Sequence, residues 1–437
     1  MRGRERHEAE NVLSQPMKRS TRNRLVALSS MAFLGAMLFV PRLVGAADDP
    51  YSSISPESED ARDIQFLYKI IFWLALIVFI GVQMAIVWSV LRYRRRNENE
   101  PRPPQIHGNQ KLEIIWTIIP AIILVAIFIP SVRTMYSIDD RADEGEYTIE
   151  VYGKQWWWEV HYKEPEAVAN VVTANEIYIP VNTRVRIELL SSNVIHSFYV
   201  PQLAGKMDVI PGHTNVMSVQ ADQPGMYFGE CAEFCGESHA YMRFKIIAVE
   251  QPEFDKFIAG WNQGASTAAQ SLVPEGDVDR IPQDMSLCIA CHRVGGVPEN
   301  ASGDPLQDPP MGVEGGSSPE NQILGPNLSM LACRTTLAGG IIPNDDEHLR
   351  DWLHNPGGVK QGNFMATMIK EGTLNDEQID SIVAYLKTLQ PEEGCPVITG
   401  VHADDVERLA DESPPSESAA GSEPAESAYV NERRNKS

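Results

Sequence analysis

CAEFCGESHAYM (231–242) places two thiols, two carboxylates, an imidazole and a thioether within twelve residues of a chain that has only six cysteines. It lies between the strand-like runs GMYFG and MRFKI, so it reads as a loop joining two strands. His196, in NVIHSFYVP, ends another strand-like run 35 residues before Cys231. Three chemistries compete for these groups. A disulfide suits an exported protein but leaves His196, His239 and Met242 without a role. Zinc accepts two cysteines and two histidines but has no use for a thioether. Thiolate, imidazole and thioether together suit copper in electron transfer. Ligand type favours copper and leaves the other two open.

The surroundings of the loop predict an all-β domain. RVRIELL (184–190) alternates Val185, Ile187 and Leu189 with Arg184, Arg186 and Glu188, the period of a half-buried strand. YTIEVYGKQWWWEVHY and MRFKIIAVE are similarly rich in β-branched and aromatic residues, and NTR, SSN, PGH and QPG punctuate them as turns. Short strands over about 110 residues suit a small sandwich or barrel. The expected domain covers 142–260.

Upstream, the chain reads as a membrane protein. Lys18, Arg19, Arg22 and Arg24 precede the apolar run LVALSSMAFLGAMLFV (25–40) and the small-residue stretch LVGAADD. These are features of an export signal over 1–46, with a retained anchor as the alternative. The region 47–141 holds two runs, about 66–91 and 112–132, each as long as the roughly twenty residues a spanning helix needs. Pro120 bends the second without forbidding it. Arg92, Arg94, Arg95 and Arg96 lie in the connection and make it cytoplasmic. Both ends of the hairpin then face outward, as does everything after about residue 135. Glu113 sits at the cytoplasmic end of the second span, where an ionisable group is costly unless solvated or paired. A carboxylate in a first helical turn also simply suits the helix dipole.

Downstream, CIACH (288–292) is the C-x-x-C-H signature of covalent c-type haem. Cys288 and Cys291 would form the thioethers, with His292 an axial ligand. NDEQIDSIVAYLKTL (375–389) predicts a helix. Asn375 and Gln378 form its capping box, and Ile379, Ile382, Val383, Leu386 and Leu389 its apolar face. Residues 261–280 read as a linker, 281–395 as the haem domain, and 396–437 as an acidic disordered tail. Cys333 and Cys395 belong to neither motif. They form a disulfide or remain two unrelated thiols, since sequence does not give their separation. The net charge of −22 argues against nucleic acid and for basic partners.

The pattern H-x34-C-x-E-x-C-x3-H-x2-M, after a two-helix hairpin and a tryptophan-rich strand, resembles subunit II of the haem–copper cytochrome c oxidases over about residues 63–250. The resemblance implies a cupredoxin-like barrel holding a binuclear copper centre, CuA. Cys231 and Cys235 would bridge the ions, His196 and His239 would each cap one, and Met242 and the Glu233 carbonyl would be axial. It further implies Trp156, in QWWW, as the point where electrons arrive. The Glu233 side chain would help hold a magnesium ion shared with subunit I, with Asp208 near that border. Glu113 would stand at the mouth of a proton path. ILGPNL (323–328) and HLRDWLHNPGGVKQGNFMATM (348–368) resemble class I cytochromes c. There Pro326 would accept the His292 ring N–H, and the helices would form an all-α haem domain. The sixth iron ligand implied is Met365. Its setting, Met-Ala-Thr-Met, departs from the usual M-P-x-M, which keeps Met368 as runner-up and Met311 as a remote third.

The order of parts resembles a caa-type oxidase subunit II, with a two-helix hairpin, an all-β copper domain and an all-α cytochrome c domain. The implied partners are subunit I, subunit III, cytochrome c or another external donor, and the bilayer of a bacterial inner membrane. Both redox domains would stand on its periplasmic side. A flexible tether would hold the haem near Trp156 at up to about millimolar effective concentration. Oxygen reduction and proton translocation would occur in subunit I. The alternatives are the electron-receiving subunit of a CuA-containing nitric oxide reductase and a standalone tethered electron carrier.

Overall fold

The computed structural model describes residues 51–94, 104, 108–168, 171–272, 283–288, 291–292, 325–391 and 393–402. The expected export signal, Met311 and the tail beyond 402 lie outside the described residues.

Helix α1 (Glu59–Arg92) begins at Ser58, whose side chain accepts the Ala61 N–H. Helix α2 (Gln110–Ala142) begins at Asn109, whose side chain accepts from Lys111 and Leu112. Both are long and apolar enough to span a membrane. Their large apolar side chains, including Trp73, Trp88, Trp116 and Phe128, stand exposed, a surface that only lipid or a partner helix would cover. The helices outrun the expected spans at their outer ends, where polar groups tie them to the next domain. Arg141 contacts Asp60 at 2.6 Å and Asp63 at 2.7 Å, while Arg184 of the barrel reaches the same Asp60 at 3.3 Å. Ser218 donates to the Arg141 carbonyl at 2.7 Å.

The middle domain is two five-stranded sheets, ordered β3-β2-β1-β5-β8 and β4-β10-β9-β6-β7, in which β2 is Trp157–Glu164, β3 Val172–Ala174, β7 Met207–Val209 and β8 Asn215–Val219. Strands β1 (Tyr147–Lys154) and β5 (Val185–Ser191) run parallel, opposing Ile149 to Ile187 and Val151 to Leu189. All four are fully buried, as the alternation in RVRIELL requires. Strand β4 (Glu176–Pro180) runs parallel to β10 (Arg243–Val249), and β9 (Gly225–Cys231) runs antiparallel to it. His196 opens β6 (His196–Tyr199) rather than ending a strand. The Ser191 hydroxyl bonds the Val194 carbonyl and holds the preceding residues in a turn.

Helix α3 runs Gln251–Leu272, past the boundary expected at 260. The first part of the expected linker is therefore helical. The cause is the spacing of Phe254, Phe257, Ile258 and Trp261, all buried against the barrel. Phe257 stacks on Tyr178 with centroids 4.2 Å apart.

The last domain packs α4 (Asp346–His354) and α7 (Asp376–Leu386) over a small hairpin of β11 (Thr336–Leu337) and β12 (Ile342–Pro343), with α5 (Pro356–Val359) and α6 (Met365–Met368) between them. Asn375 and Gln378 form the capping box, and Ile379, Ile382, Val383 and Leu386 join the core. Cys333 and Cys395 are disulfide-bonded. Residues 396–402, expected to begin the tail, instead form a strap back to the barrel. Val397 N–H donates to Glu253 at 2.7 Å. Val401 donates to the Pro224 carbonyl at 2.9 Å and accepts from Met226 N–H at 2.8 Å. Ile398 and Val401 pack on the barrel's core, which their apolar side chains explain.

Candidate copper and haem sites

The ligand loop is held by strands on both sides. Cys231 is the last residue of β9, and β10 begins immediately after Met242. His196 arrives from the adjacent β6, paired with β9 through Phe198 and Cys231. The distances close one cluster. Cys231 Sγ lies 3.8 Å from Cys235 Sγ and 3.9 Å from His196 Nδ1. Cys235 Sγ lies 3.6 Å from His239 Nδ1 and 3.8 Å from Met242 Sδ. The Glu233 carbonyl is 3.3 Å from Cys231 Sγ. The two sulfurs are not bonded to each other. A metal–thiolate bond of ~2.3 Å lets two sulfurs at this separation share an ion. His196 Nε2 lies 3.0 Å from Asn193 Oδ1, which fixes the ring with Nδ1 toward the sulfurs. The Cys231 thiol is pulled down, first by its hydrogen bond with Cys235 and then by His196, against the opposing effect of burial. Cys235 is pushed up by the same bond and by burial. One thiol thus already favours the thiolate form a metal needs. The donor set fits copper. Glu233 and Asp208 are exposed residues.

The second site is an apolar crevice. Its walls include Leu328, Leu331, Leu349, Leu353 and Ile369, with Cys288, Cys291, His292 and Met365 also lining it. His292 Nδ1 donates to the Pro326 carbonyl at 2.8 Å. This leaves Nε2 with its lone pair free to ligate. Burial lowers the His292 pKa, favouring the neutral ring. A Cβ on Gly325 would meet the His292 ring at 2.5 Å, so only glycine lets the loop close on it. Arg334 also lines the crevice, and its Nε is buried without a partner. An apolar slot, one free imidazole nitrogen and one orphaned cationic atom fit a haem with its acidic edge groups. Met365 packs against the domain core, whereas Met368 is 59% exposed.

Trp156 joins the two sites. Its Nε1 donates to the Cys235 carbonyl at 3.1 Å, beside Gln155 Nε2 on the same oxygen at 2.7 Å. Trp156 also lines the haem crevice, as does Trp157. Trp158 is fully buried and packs edge-on to Phe198. It is therefore a core residue, while Trp156 is placed between the cofactor sites. Gln155 and Asn193 were not singled out from sequence. Gln155 could have been, by its adjacency to Trp156, whereas Asn193 looks like any turn residue.

Glu113 lies in the first turn of α2, where its Oε1 accepts the Asn109 N–H at 3.2 Å. It thus serves the helix start.

These features together define a membrane-anchored copper-binding β-domain continued into a c-type cytochrome. Family models agree along the chain. The transmembrane domain of cytochrome c oxidase subunit II matches residues 53–134, its periplasmic domain 164–249, and cytochrome c 284–390. Cytochrome c oxidase subunit 2 of Alkalihalophilus pseudofirmus is 34% identical over 340 residues, covering 77% of this chain and 89% of that protein. The Bacillus sp. (strain PS3) protein of the same name is 32% identical, covering 68% and 80%. A solved periplasmic domain of subunit II from Bradyrhizobium japonicum is 32% identical and covers 27% of this chain and 94% of that one, at a TM-score of 0.26. The chain belongs to the cytochrome c oxidase subunit 2 family, in the form that carries a C-terminal cytochrome c domain. The relatives that show this are subunits of cytochrome c oxidase.

Proposed function

We propose that this subunit takes electrons onto a haem c held by Cys288, Cys291, His292 and Met365, and passes them by way of Trp156 to a binuclear copper centre held by His196, Cys231, Glu233, Cys235, His239 and Met242. From there they leave for the oxygen-reducing site of subunit I. The two groups, when bound, supply the redox couples. The protein's own contribution is to hold both without rearrangement. Strands β6, β9 and β10 fix the thiolates and imidazoles, so a change of charge moves few atoms. Neutral His292 and thioether Met365 suit haem iron on the electron-transfer side of its chemistry. In this reading the copper and haem domains face the periplasm, and subunit III and an external cytochrome c complete the partners. Glu233 turns its exposed carboxylate to a magnesium ion at subunit I. Glu113 receives protons at the cytoplasmic end of α2 in addition to capping it. Domain limits follow the boundaries expected from sequence, with α3 and the strap added to the folded part.

The observation that carries the proposal is Trp156, hydrogen-bonded to Cys235 while lining the haem crevice. Trp156→Phe should slow haem-to-copper transfer at least tenfold, about 1.4 kcal/mol on the barrier, with the metal and haem content unchanged. An unaltered rate refutes the route. Oxygen uptake by the purified complex, with nitric oxide as competing substrate, separates the oxidase from a nitric oxide reductase. Purification without any large polytopic subunit would instead support a standalone carrier.

A further inference from the structure

The haem-bearing fold meets the barrel through polar groups that are buried, unlike the wet polar rim of a transient contact. Glu176, at the start of β4, is 2% exposed. Its Oε1 accepts from Thr335 N–H at 3.0 Å, Thr335 Oγ1 at 2.7 Å, Thr336 N–H at 3.0 Å and Thr336 Oγ1 at 3.1 Å. Every hydrogen bond to this carboxylate among the described residues comes from the haem-bearing fold. Lys245, opposite Glu176 in the β4–β10 register and 1% exposed, donates to Thr335 Oγ1 at 2.7 Å. A hydroxyl has one proton to give. Thr335 gives it to Glu176 and turns a lone pair to Lys245, so one threonine bridges both barrel charges.

A second contact lies at Trp156. Lys360, between α5 and α6 and 3% exposed, donates to the Trp156 carbonyl at 2.7 Å and the Ala338 carbonyl at 2.9 Å. Beside it, Arg243 N–H donates to the Gly339 carbonyl at 3.0 Å, and Ser238 Oγ donates to the Gln361 carbonyl. A Cβ on Gly339 would meet Lys360 Nζ at 2.5 Å, so the backbone is drawn in around the ammonium. The strap gives a third attachment, tied to the haem-bearing fold by the Cys333–Cys395 disulfide.

We propose that these contacts form a latch. Glu176, Lys245 and Lys360 are positioning residues that keep the haem-bearing fold on Trp156 through every turnover, so it does not swing out on a tether to collect electrons. This rests on the electron route through Trp156. A permanent contact replaces effective concentration as the reason for fast transfer. It also denies Trp156 to a soluble donor, which must deliver to the outward surface of the haem-bearing fold.

The test uses the purified oxidase complex. A ruthenium photoreductant reduces haem c by laser flash, and copper reduction is followed as glycerol raises viscosity. The wild type should show one first-order rate independent of viscosity. Glu176→Gln and Lys360→Met should slow it by roughly tenfold or more and make it viscosity-dependent, as expected once encounter limits transfer. A wild-type rate that falls in proportion to viscosity overturns the latch. So do variants that keep both the wild-type rate and its viscosity independence. If haem c is reduced and copper stays oxidised, the route itself fails. The latch is then judged by hydrogen exchange in the wild type. Protection of the Thr335, Thr336 and Arg243 amides equal to that of β9 and β10 supports it, and exchange at loop rates overturns it.

Discussion

Replacing Lys245 by methionine should remove one component of the protein's alkaline stability. Burial lowers the Lys245 pKa from 10.5 to about 8, against the opposing pull of Glu176. Below pH 8 the ammonium is protonated in folded and unfolded chains alike, and the folded state bears the whole cost of enclosing it. Between 8 and 10.5 the unfolded chain binds a proton that the folded chain has released. Stability therefore rises with pH across that window. At ~1.4 kcal/mol per unit, the shift corresponds to about 3 kcal/mol. Methionine carries no proton, so the variant lacks this rise. The neutral amine keeps N–H donors, so the bond to Thr335 survives the titration. The assay is guanidinium unfolding of the purified protein at pH 7.5 and 10.5, read by the fluorescence of buried tryptophan. The stability of the variant relative to wild type should fall by about 3 kcal/mol between the two conditions. Lys360, whose pKa burial lowers to about 7, contributes equally to both proteins and cancels in the difference. A difference that stays constant with pH would refute the reasoning.

Removing the disulfide by Cys333→Ser and Cys395→Ser frees a loop of 62 residues. Chain entropy puts the cost at about 4 kcal/mol, measurable as a lower denaturant midpoint, and the Met226 amide should exchange faster as the strap loosens. His196→Ala or Cys235→Ser should lower copper per chain in elemental analysis and leave covalent haem intact. Full copper retention by either variant would remove it from the ligand set. Met365→Leu should change the haem absorption spectrum while Met368→Leu leaves it alone, and the reverse result would exchange their roles.

Much of the site was legible because its chemistry is local. The spacing of Cys231, Cys235, His239 and Met242 depends on one loop between two strands, and CIACH on one turn. Alternation in RVRIELL and the capping box at Asn375 work in the same way, over a few residues. What escaped depends on distant segments meeting. Glu176 reads as an ordinary strand-start residue, and only the arrival of Thr335 and Thr336 makes it an interdomain anchor. Lys360 lies in a glycine-rich stretch with nothing to mark it until the Trp156 carbonyl comes within reach. The acidic, serine-rich composition after 396 concealed Ile398 and Val401, two apolar residues sufficient to fold the strap back. Helix α3 was cut short for a related reason. The polar composition after Trp261 outweighed four apolar residues at helical spacing just before it.

The strap also imposes an order on how the molecule is finished. Val401 lies alongside Gly225, where a Cβ would meet the Val401 backbone at 2.5 Å, and its carbonyl receives the Met226 N–H. That part of the barrel rim cannot be completed until the chain has been made through Val401. The first redox domain to leave the ribosome is thus sealed only after the chain of the second has been made. A chain halted after the barrel would carry an open backbone edge at Pro224–Met226, and only synthesis of both redox domains covers it.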